Sequence, residues 1–339
     1  MRIATYNTEW FNTLFDDTGQ LIDDDSWSAR YNVTKAMQTQ ALGRVFQALD
    51  ADGVMIIEAP DSNRNRNTVV ALENFAAHFG LRARAALVGF TNDTQQEIAF
   101  LHDPDILTTM HAPVSTYEPP AAPRFDQSFE IDLDIDAQAD TVTFSKPPLE
   151  VLVETTTGKL LRMIGVHAKS KAAHGARDAA HAMRLSIANR RKQLAQCIWL
   201  RRRVASHLQA KDSLIVLGDF NDGPGLDEYE ALFGKSSVEI VLGLDQARDL
   251  QLYDPHAAAA LQQRLGVRVS TSRFYLRKEK RYLNALLDYI MVSPDLKDLS
   301  PDWQVWHPFD DPACFDTPEL SHALLTASDH FPVTLDIDL

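Results

Sequence analysis

Eight apolar runs of strand length are spread along the whole chain, at residues 3–6, 54–57, 98–101, 149–153, 160–166, 214–217, 286–292 and 333–337. Each is too short for a buried helix, and a chain with this many strands must bury them in sheets. Between them, residues 33–49, 69–79 and 179–208 repeat apolar side chains at helical spacing. Strands alternating with helices predict α/β layers. Thr157-Gly158 supplies a tight turn between two of the runs, so a hairpin is expected there.

At 339 residues the chain is long for one domain, yet no Gly/Ser- or Pro-rich linker divides it, and 45% hydrophobic residues provide for a large core. One domain over 1–339 is therefore expected. Residues 15–28, 117–148 and 301–322 are rich in acids, glycines or prolines and read as long surface loops. The middle one holds an alternating run, Phe129, Ile131, Leu133 and Ile135, that would suit an added strand. Cys197 and Cys314 match no metal or redox spacing and are expected as plain thiols. No run has the length of a membrane span. Residues 3–6 lead straight into Asn7 without a secretory pattern, so a cytoplasmic protein is expected, or a secreted one whose leader has been removed.

The net charge of −14 argues against a general polyanion binder. The charge is segregated, however: residues 167–211 carry 11 Lys or Arg against one acid, Asp178, which leaves 22 basic residues against 46 acids elsewhere. Met183, Ile187, Leu194, Ile198, Ala205 and Leu208 form the expected buried stripe of this basic helix. Arg184, Arg190, Arg191, Arg201 and Arg203 then face solvent or a ligand. A solvated face and a phosphate-facing one fit the pattern equally.

The chemistry gathers at strand ends. Asn7, Glu58, His167, Asp219 with Asn221, and Asp329-His330 each stand at or just beyond an apolar run. Taken singly, these are ordinary turn and cap residues. Strands that end together would collect them into one oxygen-rich pocket suited to a hard divalent cation and a phosphate ester. Asp288, inside the apolar run at 286–290, needs a partner, and His330 is a natural one. Asp219 would orient or deprotonate a water, and His167, with Lys169 and Lys171 close behind, would face a phosphoryl oxygen.

In this order and on these strand types, Asn7, Glu58, His167, Gly218-Asp219-Phe220-Asn221, Leu287-Asp288-Tyr289-Ile290 and Ser328-Asp329-His330 resemble the endonuclease/exonuclease/phosphatase superfamily, from the first strand to the last. The resemblance implies the deoxyribonuclease I-like fold, an α/β four-layer αββα sandwich of two mixed β-sheets packed face to face with flanking helices. It also implies Mg²⁺- or Mn²⁺-dependent attack of water on phosphorus. Glu58 would be the principal metal ligand, with Asn7 and Asp329 completing or adjoining the site. Asp219 would activate the water, Asn221 would hold a phosphate oxygen, and His330, oriented by Asp288, would stabilise the pentacoordinate charge. His167 resembles the second histidine of the deoxyribonuclease and sphingomyelinase branches, a position where abasic-site endonucleases carry another residue.

The chain departs from the family in three places. Ile57 and Ala59-Pro60 flank Glu58 where Gln and Val are usual, His167-Ala168 replaces His-Leu, and the place of the acid that often orients the second histidine falls on Gln96 or Glu97, of which Glu97 is the candidate. A nuclease acting on DNA or RNA is expected first, its groove lined by Lys169, Lys171, Arg190, Arg191 and Arg273, with Lys278, Lys280 and Arg281 nearby. A sphingomyelinase-like lipid phosphodiesterase ranks second, with Trp303, Trp306 and Phe309 as a membrane-facing loop. Small phosphoesters rank third, and a non-catalytic binding module is the contrasting class. Nucleic acid is thus the expected partner, with no stable membrane association and no obligate protein partner.

Overall fold

The computed structural model describes residues 1–92, 94, 96–114, 122–132, 139–173, 175–224, 234–262, 269–276 and 279–339. One sheet contains β1 (Arg2–Asn7), β2 (Gly53–Ala59), β3 (Ala85–Val88), β4 (Glu97–His102), β14 (Asp302–Val305) and β15 (Val333–Asp336), in the order β14-β15-β1-β2-β4-β3. The second contains β5 (Leu107–His111), β8 (Leu149–Thr155), β9 (Leu160–His167), β10 (Leu214–Asp219) and β13 (Asp288–Val292), in the order β13-β10-β9-β8-β5. Two hairpins, β6 (Phe129–Ile131) with β7 (Asp140–Val142) and β11 (Ser272–Leu276) with β12 (Arg281–Ala285), stand apart from the sheets.

Side-chain alternation decides which layer each strand residue joins. On β1 and β2, Ile3, Met55 and Ile57 pack with Val151, Met163, Ile215, Leu217 and Ile290 of the five-stranded sheet, which forms the inter-sheet core. Ala4, Tyr6, Val54 and Ile56 point the other way, against α1 (Lys35–Leu49) and α2 (Thr68–Phe79). On the far side, Ile164, Val166 and Val216 meet Trp199, Leu200 and Val204 of α3 (Ala179–Gln209). Strands covered on both faces read as continuous apolar runs, which is why they were visible in the sequence. The helices start on ordinary caps: the Thr34, Asn67 and Asp178 side chains accept from the backbone N–H groups of Met37, Val70 and His181.

Two expectations fail. Residues 301–322 are not a loop: they contain β14, α7 (Pro312–Phe315) and the first half of α8 (Pro318–Ala327), after α4 (Ser237–Leu242), α5 (Pro255–Gln262) and α6 (Pro294–Lys297). Pro312 and Pro318 are helix-starting residues, where the missing N–H costs nothing, and not loop markers. The buried face of α3 also differs, because Met183 is exposed while Arg190 and Arg203 lie inside. In the alternating run, Phe129 and Ile131 belong to β6, whereas Leu133 and Ile135 lie outside the described residues. Among the described residues no helix is long and apolar enough to cross a membrane.

Candidate active site

Strand register brings the expected residues into two facing rows. In the five-stranded sheet, His167 of β9 pairs with Asp219 of β10, which pairs with Asp288 of β13, so the three sit side by side on neighbouring strands. In the other sheet Asn7 of β1 pairs with Ile57 of β2. The β2–β4 register then shifts between Ile57 and Ala59, and Glu58 occupies this bulge with φ 63°. A bulge with left-handed backbone re-aims a side chain away from the regular pleat, a strain that tends to be kept where a group must be presented. The rows touch where Asn7 Nδ2 donates to Asp219 Oδ2 at 3.1 Å.

Asp219 is held from several sides. The Asn221 backbone N–H and Nδ2 donate to its two oxygens at 2.7 and 3.0 Å. Gly218 just before it has φ 136°, and a Cβ there would lie 2.1 Å from the Val166 carbonyl oxygen, so only glycine lets β10 approach β9 this closely. His167 Nε2 and His330 Nε2 stand 3.7 and 4.0 Å from Asp219 Oδ2. Burial pushes the Asp219 carboxyl up to about 7, against the pull of His330 and with the push of Asp288. The Asn221 amide also donates to the Ala168 carbonyl at 3.1 Å, so here it braces Asp219 and β9.

His330 Nδ1 lies 2.8 Å from Asp288 Oδ2. Burial works against the imidazolium, but Asp288 outweighs it and raises His330 to about 10, leaving it charged at neutral pH. Two hydroxyls complete the arrangement, that of Ser328 from the motif at 328–330 and that of Thr271, which the sequence did not single out. Thr271 Oγ1 donates to Asp288 at 2.7 Å, and Ser328 Oγ donates to the Asn7 carbonyl at 2.7 Å while accepting from the His330 N–H at 3.1 Å. Ser328 thereby ties the His330 segment to the end of β1.

A second set of contacts runs through Gln96, which the sequence left level with Glu97, and through Lys146, which it did not single out. Gln96 Nε2 donates to Glu58 Oε2 at 2.5 Å, and Lys146 Nζ donates to Gln96 Oε1 at 2.5 Å. The same ammonium lies 3.2 Å from His167 Nδ1. Burial, then the nearby Lys146, His330 and Lys169 charges, hold His167 well below the ordinary imidazole range, so it is neutral. The expectation for Glu97 is corrected: its carboxylate accepts from Asn92 Nδ2 at 2.6 Å, and the group beside His167 is a lysine. Adjacent residues on an extended strand point to opposite faces, which is why Gln96 reaches the site and Glu97 turns away.

No family profile matches this sequence, and no curated protein is similar to it. Solved structures are similar along its length. They include the 3′ phosphatase NExo from Neisseria bound to a product DNA hairpin, at 17% identity, TM-score 0.50 and coverage of 100% of both chains. An AP endonuclease from Archaeoglobus fulgidus matches at 11% identity, TM-score 0.50 and 100% of both chains. D. rerio TDP2 complexed with single-strand DNA product matches at 12% identity and TM-score 0.50, over 100% of this chain and 99% of that one.

The chain shares the fold of these structures, the deoxyribonuclease I-like sandwich of two mixed sheets with flanking helices. The donor set suits a hard divalent cation. Among the described residues, Glu58 and Asp329 make no ion pair, both are half-buried, and both offer carboxylate oxygens, with the Asn7 amide at the end of the adjoining strand. Asp219, Asp288 and His330 form the one group of three possible ligands gathered within 4.8 Å among the described residues. His330 already spends Nδ1 on Asp288 and carries a positive charge, which opposes a cation there. Asp329 sits against a supporting pair: its N–H donates to Glu9 Oε2 at 3.1 Å, and Glu9 is bridged to Arg30.

The expected basic groove is only partly assembled. Arg190 is 1% exposed and meets the fully buried Asp222 at 2.8 Å, where Lys171 Nζ also donates at 2.6 Å. Arg190 thus belongs to the interior and not to a groove, because a buried carboxylate needs compensating charge. Arg203 is likewise spent on the buried Glu150 at 2.8 Å. Arg191 pairs with Asp140 at 3.0 Å, while Lys169 is close enough for its charge to act on His167. The Arg273 N–H donates to the Asp329 carbonyl at 2.7 Å, and its guanidinium lies 4.0 Å from the Tyr282 ring centroid. Lys278 lies outside the described residues. The aromatic loop is also corrected: Trp306 is buried with Nε1 on Thr334 Oγ1 at 3.0 Å, and Trp303 donates to the Ile290 carbonyl at 2.8 Å, which leaves Phe309 exposed.

Proposed function

We propose that this chain is a divalent-metal-dependent phosphodiesterase whose substrate is a nucleic acid strand. The observation that carries this reading is Asp219, a buried carboxylate held near neutrality between an uncharged His167 and a charged His330. A base with its pKa near the working pH is suited to taking a proton from water as the water oxygen bonds to phosphorus. His330 Nε2–H donates to a non-bridging phosphoryl oxygen whose negative charge grows as the leaving oxygen departs, and Asp288 keeps that imidazole oriented. His167, through Nε2–H, addresses a second oxygen. Bound at Glu58 with Asn7 and Asp329, Mg²⁺ or Mn²⁺ would supply positive charge next to the phosphate.

Nucleic acid is favoured because Lys169 puts positive charge near His167, Arg273 follows on the strand whose backbone meets Asp329, and two of the similar structures hold DNA products. A lipid phosphodiester is the second reading, supported by exposed Tyr275, Tyr282 and Phe309 near Arg273. A panel of single-stranded DNA, duplex DNA, RNA, sphingomyelin vesicles and a chromogenic diester, assayed with Mg²⁺ and Mn²⁺, distinguishes them. Wild type is expected to cleave a nucleic acid, EDTA to stop it, and Asp219→Ala to lack it. Inactivity across the panel with both metals would replace the hydrolase by a binding module on the same fold.

A further inference from the structure

Lys146 stands where the two halves of the site meet, yet nothing in the reaction described above uses it. It lies between β7 and β8 in Ser145-Lys146-Pro147-Pro148, where the following proline restricts its backbone and helps hold the side chain in place. An ammonium has three donors and no acceptor. The Glu58 carboxylate can only accept, so Gln96 turns its amide nitrogen to Glu58 and its oxygen to Lys146. His167 Nδ1, facing the same ammonium at 3.2 Å, must then be the accepting nitrogen. Its proton is left on Nε2, the atom that faces Asp219 at 3.7 Å.

We propose that Lys146 is a positioning residue that locks His167 as its Nε2–H tautomer and, through Gln96, holds Glu58 in the same hydrogen-bonded line. This rests on the hydrolase reading for its consequence but not for its geometry. Gln96 precedes β4 of one sheet and Lys146 precedes β8 of the other, so the line Glu58–Gln96–Lys146–His167 crosses between sheets. The cation-side carboxylate and the phosphate-facing imidazole are thereby set by one side chain. Removing Lys146 frees His167 to carry its proton on Nδ1, which presents an acceptor to a phosphoryl oxygen that is itself an acceptor.

The test is ¹⁵N–¹H NMR of histidine-labelled protein, with the His167 resonances assigned by their loss in His167→Gln. Wild type and Lys146→Arg are expected to show the Nε2–H tautomer, and Lys146→Met a mixture with Nδ1–H. On a cleaved diester, kcat of Lys146→Met is expected to fall about 10- to 100-fold with KM little changed, and Lys146→Arg to recover part of it. An unchanged His167 tautomer in a folded Lys146→Met would overturn the proposal. So would loss of the Nε2–H tautomer in folded Lys146→Arg alone. The spectra need no turnover, so an inactive wild type would count against the hydrolase reading while the tautomer result still decides the role of Lys146.

Discussion

Where the two sheets meet, Asp219 and Asp288 of the five-stranded sheet are buried and tied to Asn7, Asn221, Thr271 and His330, whereas Glu58 and Asp329 beside the six-stranded sheet are half-buried and make no ion pair among the described residues. One row has its charges balanced by protein groups before any ligand arrives. The other presents anionic oxygen on strained backbone, with Glu58 at φ 63°. A preorganised row is suited to moving a proton and steadying developing charge, because its dipoles need not reorient. An unbalanced row is suited to taking up a cation. The difference teaches that similar acids at similar strand ends are given different burial and different partners by what packs around them.

The largest effect should come from the buried row. Asp219→Asn keeps the shape and removes the base, so kcat on a cleaved diester should fall about 10²- to 10⁴-fold. Retention of a tenth of the activity would break the assignment of this row to proton transfer. The half-buried row should respond to metal instead. Mg²⁺ or Mn²⁺ at 100 times its Kd should raise wild-type stability by about 2.7 kcal/mol, read as a shift in thermal midpoint. Glu58→Gln should lose that shift and Asp288→Asn should keep it; the reverse pattern would put the ion among Asp219, Asp288 and His330.

A pH series sharpens the same contrast. With Asp219 raised to about 7 and His330 to about 10, kcat/KM should rise through the first value and fall through the second. Because the folded pKa of His330 lies above its ordinary 6.5, its contribution to stability is complete below 6.5 and lost as pH rises through about 10. Thermal midpoints over that window should decline in wild type and be flatter in His330→Gln. The smallest effect is expected at the rim: Arg273→Ala should raise KM for DNA about twofold to fivefold, as for a solvent-screened contact of about 0.5–1 kcal/mol, with a weaker change for a small diester.

Much of the fold was legible because strand and helix periodicities are local. Strand-length runs at 54–57 and 214–217 lie within β2 and β10, and the expected hairpin between β8 and β9 is present. Prolines misled at 301–322, since a proline opening a helix looks the same in sequence as one in a loop. Arg190 misled for a different reason: nothing near it in sequence announces that Asp222 will be buried beside it. Lys146 carried no signal, because it belongs to no apolar run or motif, and its meeting with Gln96, which the sequence left level with Glu97, depends on two loops from different sheets.

By itself the sequence determined which residues stand at strand ends, and so which oxygens and imidazoles are available for chemistry. Backbone preference and side-chain alternation act between near neighbours, and neighbours are what a sequence records. Only the tertiary structure decided which acid is buried and held toward its protonated form, which is left half-buried without an ion pair among the described residues, and which histidine is charged. Those properties arise from desolvation and from partners such as Asn7 with Asp219 or Lys146 with His167, which lie 212 and 21 residues apart in the chain.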